Sequence, residues 1–350
     1  MTAKKKWDDS LMMRAVRRLP TERVPVWLMR QAGRYMAEYR AVRKKAAFLE
    51  LCKNPALSAE VMLTAVDRLG VDAAIIFSDL LPILEPMGFS LEFAAGEGPV
   101  IHNPVRSADD VARVRELTDV SPLDFVFETV RKTREGLNKT LPVIGFAGAP
   151  FTLAGYAVEG GSSRDFRLAK TMMYSQPQHW HALLDKIVGS VARYLIEQAH
   201  AGAQILQLFD SWVGCLSCDD YRQYVLPHSR KVFDLVRDAC PDTPIIHFGT
   251  GNPMLLPLFR EAGGDVIGVD WRIPIDTAWD MIGHDRAVQG NLDPVVLLAD
   301  RDVIEREAIA ILQKAAYRPG YIFNLGHGIL PQTPVDNVIA LVETVKMFTR

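Results

Sequence analysis

Short apolar segments rich in valine and isoleucine recur along the chain, and longer segments with helical periodicity separate them. This alternation is typical of βα units arranged around a parallel sheet. Eight such segments can be counted, which predicts an α/β fold of the (β/α)8 barrel type, a TIM barrel, formed as a single domain by residues 1–350. The predicted strands are 24–29, 73–77, 142–146, 203–209, 244–248, 265–269, 286–289 and 321–324.

A doubly wound open sheet is the main alternative, because hydrophobic periodicity does not distinguish a closed parallel sheet from an open one. Neither an internal repeat nor a linker rich in glycine and serine marks a domain boundary. Thr333 followed by Pro334 is typical of an N-cap with proline at the first helical position. The segments predicted as helices include 58–69, 177–201, 217–239 and 334–349.

Small or polar residues follow most of the predicted strands. In parallel barrels the C-terminal strand ends and the loops after them build the active site, so the pattern predicts one mouth lined from several strands. The segments in question are Arg30-Gln31, Ser78-Asp79, Gly148-Ala149, Asp210-Ser211, Gly249-Thr250, Asp270-Trp271, Gly290-Asn291 and Gly326-His327-Gly328.

Composition and charge exclude several classes of protein. The chain is 49% hydrophobic and 23% charged with a net charge of −2, which gives no case for a nucleic-acid or membrane-surface role. We see neither a secretory signal nor a long apolar span, and four cysteines in such a chain are expected to stay reduced, so a cytoplasmic protein is expected. Residues 1–45 hold 13 lysines and arginines against four acids. That local excess favours an anionic ligand, with a solvated basic face as an equally good alternative.

The segment after the first predicted strand places Arg30 and Arg34 four residues apart, with Gly33 between them to let the backbone approach a ligand. Paired guanidinium groups bind carboxylates bidentately. The alternative is a set of salt bridges on a helix surface, for instance between Arg34 and Glu38, and spacing alone slightly favours it.

Asp79 and Asp210 each close a predicted strand and are expected at the mouth, where an ionised carboxylate can accept hydrogen bonds. An aspartate at a strand end is also a common helix N-cap. His327 lies between two glycines after the last strand and can donate a hydrogen bond to a carboxylate, or the glycines simply make a turn. Cys215 and Cys218 are an isolated pair, so no metal site is expected there.

Seven segments, in order along almost the whole chain, closely resemble the uroporphyrinogen decarboxylase family. Members of that family remove the four acetate carboxyl groups of uroporphyrinogen III to give coproporphyrinogen III. Departures from the family pattern occur at Ala37, Phe151 and Cys218, none of which is a candidate for chemistry. The matching segments are 25–35 (PVWLMRQAGRY), 77–79 (FSD), 145–150 (GFAGAP), 209–212 (FDSW), 269–271 (VDW), 289–294 (QGNLDP) and 324–329 (NLGHGI).

The resemblance implies a homodimer of (β/α)8 barrels that needs neither metal nor cofactor. It also implies that Asp79 binds the central pyrrole N–H groups and that three arginines contact substrate carboxylates. The residues that it places in the substrate-binding region are Arg30, Gln31, Ala32, Gly33, Arg34, Arg43, Phe48, Asp79, Tyr156, Ser211 and His327.

The chemistry can be rationalised from Asp79 and Arg30. An acetate carboxyl group on an electron-rich pyrrole can leave as CO2 once a neighbouring ring carbon is protonated, because the protonated ring accepts the electrons. Asp79 at the ring nitrogens would offset the developing positive charge. Arg30 would orient the reacting carboxylate and is a candidate proton donor, although a guanidinium is a weak acid.

Two rival functions agree less well with the sequence. Related methyltransferases activate a thiol on zinc and need histidine and cysteine ligands at strand ends, whereas His247 is followed by Phe248 and Gly249. A porphyrinogen carrier would keep the arginines but would have no need of Asp79.

Overall fold

The computed structural model of the chain describes residues 6–94 and 98–348. Seven of the strands in these residues form one parallel sheet, in the order β1-β4-β5-β6-β7-β8-β9, and β2 pairs with β3 in a separate antiparallel hairpin. The strands are β1 (Ala74–Ile75), β2 (Leu91–Ala94), β3 (Gly98–Ile101), β4 (Val143–Gly148), β5 (Ile205–Asp210), β6 (Ile245–Gly249), β7 (Val266–Gly268), β8 (Ala287–Leu292) and β9 (Tyr321–Leu325).

Helices connect the successive strands of the large sheet, as expected for parallel βα units. They are α1 (Leu11–Val16), α2 (Ala37–Arg43), α3 (Phe48–Cys52), α4 (Pro55–Leu69), α5 (Ala108–Arg113), α6 (Asp124–Gly136), α7 (Pro150–Glu159), α8 (Arg167–Ser175), α9 (Pro177–Ala201), α10 (Cys218–Tyr224), α11 (Leu226–Ala239), α12 (Leu256–Ala262), α13 (Ile275–Ile282), α14 (Arg301–Ala315) and α15 (Val335–Met347).

Local sequence explains where these helices begin and end. At the start of α4, the Asn54 side chain accepts a hydrogen bond from the Leu57 N–H at 3.1 Å, and Pro55 occupies the first turn. The segment 217–239, predicted as one helix, forms α10 and α11 with a break at Val225. Pro227 explains the break, because proline has no N–H to donate within a continuous helix.

The predicted strand at 24–29 is the main difference from expectation. This segment makes a single isolated parallel bridge, between Val26 and Phe323, and is not a strand. It nevertheless bonds to both edges of the sheet. On one side, the Phe323 N–H donates to the Pro25 carbonyl at 2.9 Å, and on the other the Asp72 N–H donates to the Val26 carbonyl at 2.7 Å. The sheet is therefore curled, with segment 24–29 lying between β9 and β1.

A chain of buried polar side chains crosses the space inside the curled sheet. The Trp27 indole donates to the Gln289 side chain at 2.9 Å, and the Gln289 amide donates to Gln207 at 3.3 Å. Gln207 and Gln289 belong to β5 and β8, which are not neighbours in the sheet. Their hydrogen bond therefore spans the interior, and alternate residues of these strands face inward.

No helix in residues 6–94 and 98–348 is both long and apolar enough to cross a bilayer.

Candidate active site

Arg30 lies where segment 24–29 ends, beside the C-terminal end of β9. Its backbone has a φ of 61°, in the left-handed region. The sequence had suggested that Gly33 would supply unusual backbone freedom, but the positive φ falls on the arginine itself. The Arg30 side chain is exposed, and its guanidinium has no hydrogen-bond or ion-pair partner among the described residues. It is therefore free to bind an anion.

Asp79 follows β1 and lies close enough to Arg30 for the guanidinium charge to affect its ionisation. The Leu81 N–H donates to the Asp79 carboxylate at 3.0 Å. Burial raises the pKa of Asp79, while the backbone N–H of Leu81 and the positive charge of Arg30 oppose that rise. The carboxylate thus sits where a ligand that donates hydrogen bonds or carries positive charge would be stabilised.

His327 is held in one tautomer by its own backbone. The Gly328 N–H donates to Nδ1 of His327 at 2.8 Å, so Nδ1 is an acceptor and the proton of the neutral ring is on Nε2. Burial and the charges of Arg30 and Arg272 lower the pKa of His327 to about 4. At neutral pH the ring is uncharged and presents Nε2–H as a donor.

The two glycines beside His327 are closely packed against neighbouring groups. At Gly328 an added Cβ would lie 2.4 Å from Cδ of Arg30, and at Gly326 it would lie 2.4 Å from the backbone nitrogen of Trp271. The Arg30 side chain therefore crosses the backbone of Gly328. This contact sets the direction of the guanidinium.

Tyr156 and Ser211 line another part of the mouth. The Tyr156 ring packs edge-on against Trp212, with 5.9 Å between ring centroids. Burial and the nearby negative charge of Asp79 raise the pKa of Tyr156 to about 12, so the phenol is a neutral hydrogen-bond donor. The Ser211 N–H donates to the Thr152 hydroxyl at 2.9 Å, which fixes the loop after β5.

Phe48, Phe77 and Phe93 form an aromatic wall, and Arg43 lies against Phe48. The Arg43 guanidinium lies 5.7 Å from the centre of the Phe48 ring and donates to the Ala46 carbonyl. Phe48 in turn packs edge-on against Phe77 at 6.4 Å and against Phe93 of the β2–β3 hairpin at 5.0 Å. Since Phe77 is two residues before Asp79, this wall adjoins the carboxylate and offers an apolar surface.

The structure decides the open question about Arg34. Glu38 pairs with Arg68 of α4, not with Arg34. The Arg34 side chain is exposed and has no acidic partner among residues 6–94 and 98–348. A surface salt bridge with Glu38, which spacing had slightly favoured, is not formed.

The side chain of Gln31 does not reach the mouth. It is fully buried, accepts from the Leu28 N–H at 3.2 Å and donates to the Ala73 carbonyl at 3.1 Å. Ala32 is also buried. Within the described part of the chain, the N–H groups of Ala32 and Gly33 donate to no protein acceptor. A ligand contact at these positions would have to be made by the backbone.

Asp210, expected at the mouth beside Asp79, instead faces the helices. Its carboxylate accepts from the Thr152 hydroxyl of α7 at 3.3 Å and lies 3.8 Å from Nε2 of His247, and both side chains are fully buried. His247 packs against Phe259 of α12. Because side chains alternate along a strand and Gln207 points inward, Asp210 points outward.

Cysteine and histidine do not assemble a metal-binding group in the described residues, since no three candidate ligands come together there. Cys215 and Cys218 are both free thiols, and burial raises the pKa of Cys215 to about 11. The Cys215 thiol is therefore protonated at neutral pH.

Sequence reasoning placed Asp270 and Trp271 after a strand but assigned no role to them or to Arg272. Asp270 accepts hydrogen bonds from the Thr250 hydroxyl at 2.9 Å and the Gly251 N–H at 2.6 Å, and it pairs with Arg272 at 2.6 Å. The Arg272 guanidinium lies 4.0 Å from the centre of the Trp271 ring. The signals in the sequence were the position of these residues directly after a strand and the matching segment 269–271.

Comparisons with known proteins were made against these features. A family model described as Uroporphyrinogen decarboxylase (URO-D) matches residues 8–348. The uroporphyrinogen decarboxylase of Sorangium cellulosum is 56% identical over 97% of this chain and 96% of its own length, and that of Carboxydothermus hydrogenoformans is 53% identical over 96% of each. A methyltransferase from Methanosarcina mazei has a TM-score of 0.81 at 21% identity, covering 96% of this chain and 98% of that chain, which shows a shared fold. The chain therefore belongs to the uroporphyrinogen decarboxylase family.

Proposed function

We propose that this protein removes the four acetate carboxyl groups of uroporphyrinogen III as CO2 and releases coproporphyrinogen III, in porphyrin and haem biosynthesis. The observation that carries the proposal is the proximity of two groups. They are the Arg30 guanidinium, which has no hydrogen-bond or ion-pair partner in residues 6–94 and 98–348, and the Asp79 carboxyl group, whose pKa is raised by burial. An anionic substrate with a ring of N–H donors matches both groups.

The four pyrrole N–H groups lie at the centre of the substrate, and Asp79 is the acceptor proposed for them. Protonation of a pyrrole ring carbon creates a cation that is delocalised onto the ring nitrogen. A fixed carboxylate next to that nitrogen stabilises the cation more than it stabilises the neutral ring, which lowers the barrier.

Each decarboxylation consumes one proton and releases one CO2. A proton adds to the ring carbon, the bond between the acetate CH2 and the carboxylate breaks, and its electron pair forms an exocyclic double bond to the ring as CO2 leaves. A second proton adds to the exocyclic carbon to give a methyl group, and loss of the proton from the ring carbon restores the pyrrole. Arg30 holds the reacting carboxylate in the geometry for bond cleavage.

The remaining residues are proposed to hold the rest of the substrate. Arg34 and Arg43, which pair with no acid in the described part of the chain, would bind carboxylates, and the aromatic wall at Phe48 would pack against the macrocycle. Donors to carboxylates are the Tyr156 phenol, the Ser211 hydroxyl, Nε2–H of His327 and the backbone N–H groups of Gln31, Ala32 and Gly33. Of these backbone groups, the Gln31 N–H already donates to the Leu28 carbonyl at 3.0 Å.

The activity itself is tested by incubating the protein with uroporphyrinogen III under anaerobic conditions, without added metal or cofactor. We expect CO2 release and the stepwise appearance of products with seven to four carboxyl groups, separated by HPLC after oxidation. Binding of uroporphyrinogen without CO2 release would favour a carrier, and dependence on added zinc would favour the methyltransferase class.

His327 provides a prediction about hydrogen bonding without charge. His327→Leu is expected to raise KM about 10-fold, as for loss of a hydrogen bond to a charged group. His327→Gln should retain most of the affinity, because its amide can donate from a position near Nε2. Steady-state kinetics on both variants checks this. Equal losses in the two variants would contradict a donor role for Nε2–H.

Gly328 provides a prediction about the direction of Arg30. Gly328→Ala is expected to lower kcat/KM about 10- to 100-fold, because the new methyl group displaces the Arg30 side chain while that flexible chain can move without unfolding the protein. The melting temperature should change little. Gly326→Ala is the comparison, since its methyl group meets the backbone of Trp271 and should destabilise the fold. Unchanged kinetics in Gly328→Ala would contradict the proposed contact.

The proposal also covers closure of the barrel, oligomeric state and cellular location. Segment 24–29 is proposed to close the sheet into a complete eight-membered barrel, supported by its hydrogen bonds to both edges. A homodimer is supported by the exposed apolar side chains of Met254, Val295 and Leu298 on the segments after β6 and β8, and sedimentation would test it. A cytoplasmic location is supported by four free thiols.

A further inference from the structure

Arg272 is a cation at the mouth for which the sequence gave no role. It follows β7, whereas Arg30 follows segment 24–29, so the two arginines approach the mouth from different elements. Both lie near His327, since Arg30 packs on Gly328 and the indole of Trp271, beneath Arg272, lies 6.4 Å from the His327 ring between centroids. The two guanidinium groups therefore flank the histidine.

The orientation of Arg272 is fixed by its neighbours. Its Nη1 donates to the Asp270 carboxylate at 2.6 Å and to the Thr250 hydroxyl at 3.3 Å, and its backbone N–H donates to the same carboxylate at 2.9 Å. The stacking on Trp271 holds the guanidinium plane from one side. An arginine held at so many points loses little conformational entropy when it binds a ligand.

Part of the guanidinium remains available. Arg272 is 43% exposed, whereas the Asp270 carboxylate is 4% exposed. In the described part of the chain, Nε and Nη2 of Arg272 have no hydrogen-bond acceptor. Asp270 is also shared by Thr250 and Gly251, so it does not consume the whole of the arginine's donor capacity. One edge of the guanidinium can still bind a carboxylate.

The structure assigns to Arg272 the binding of a propionate carboxylate of the substrate, beside His327 and away from Arg30. This inference rests on the proposed function. Each pyrrole of uroporphyrinogen III carries one acetate and one propionate, so a ring whose acetate is bound by Arg30 places a propionate nearby. Arg30 follows segment 24–29 and Arg272 follows β7, and β8 and β9 lie between these two elements around the sheet. The longer side chain would reach the more distant cation.

The test uses Arg272→Gln, whose amide can still donate to Asp270 while the positive charge is removed. Arg272→Lys restores the charge without the planar fork, and Arg237→Ala removes an exposed arginine of α11 as a control. Equilibrium binding of uroporphyrinogen III and of coproporphyrinogen III is measured anaerobically, with steady-state kinetics and melting temperatures in parallel. Coproporphyrinogen retains only the propionates.

We expect Arg272→Gln to weaken the binding of both tetrapyrroles about 10-fold, as for loss of a charge-assisted pair, and to raise KM with kcat within about 2-fold. Arg272→Lys should recover part of the affinity, and Arg237→Ala should match the parent. Unchanged binding in Arg272→Gln, or a fall in kcat alone, overturns the inference. Weaker binding of uroporphyrinogen only also overturns it, since the bound group would then be an acetate.

Failure of the proposed function gives a different result. If the parent protein binds uroporphyrinogen but releases no CO2, the enzymatic proposal fails while the binding comparison still decides the role of Arg272. If the parent binds neither tetrapyrrole, both proposals fall.

Discussion

Asp79→Asn is expected to lower kcat for decarboxylation about 100- to 1,000-fold, the range for removing one preorganised electrostatic group from an active site. Asparagine has nearly the same shape but carries no negative charge to stabilise the protonated pyrrole. Anaerobic CO2 release measures the effect. Asp109→Asn, on an exposed residue in the first turn of α5, is the matched control and should behave as the parent.

The same substitution should not weaken the fold. Burial raises the pKa of Asp79, so the folded state binds its proton more tightly than the unfolded state does. The stability contributed by this group is therefore present at low pH and is lost as the pH rises through the folded-state pKa. Asparagine carries no charge that burial can destabilise, so it avoids this loss. The melting temperature of Asp79→Asn should equal or exceed that of the parent.

The direction of the pKa also sets the pH dependence of the reaction. If ionised Asp79 is needed, activity should fall on acidification at a pH above the ordinary carboxyl pKa of about 4. Full turnover by Asp79→Asn would refute its role altogether.

Arg30→Ala is expected to lower kcat/KM at least about 100-fold, because the reacting carboxylate loses both its bidentate partner and its orientation. The effect should appear in kcat as well as in KM. The kcat/KM of Arg30→Lys should lie between those of the parent and Arg30→Ala, since an ammonium group supplies charge without the planar fork of a guanidinium. Arg306→Ala removes an exposed arginine of α14, paired with Glu307, and serves as the control.

The result that would contradict this prediction is retention of both binding and turnover by Arg30→Ala. A large fall in the melting temperature of Arg30→Ala would also weaken the prediction, because Arg30 makes no hydrogen bond or ion pair with the described residues.

Much of the fold could be predicted because burial on both faces leaves a strong signal in the sequence. The seven strands of the sheet coincide with predicted segments to within a few residues, and Asp79 follows β1 as expected, whereas Arg30 follows segment 24–29. Segment 24–29 reads as a strand for the same reason, since it is apolar and buried. Its pairing depends on the edges of β9 and β1, which no local pattern specifies.

The errors in the site have a common physical origin. Position after a strand does not tell which way a side chain points. Asp210 faces the helices because Gln207 faces inward, and a strict count of alternation would have shown this. The Gln31 side chain lies in the core, and the left-handed backbone conformation falls on Arg30 and not on Gly33. Arg272 could be recognised only once its contacts with Asp270 and Trp271 were known.

Segment 24–29 has a further consequence for how activity and stability are related. It pairs with the sheet through a single isolated bridge and not as a strand, and Arg30 is attached to its end. Local opening draws on the least connected parts of a structure. Under mild denaturation the protein should therefore lose substrate binding while most of its secondary structure is intact. Inactivation would then precede global unfolding.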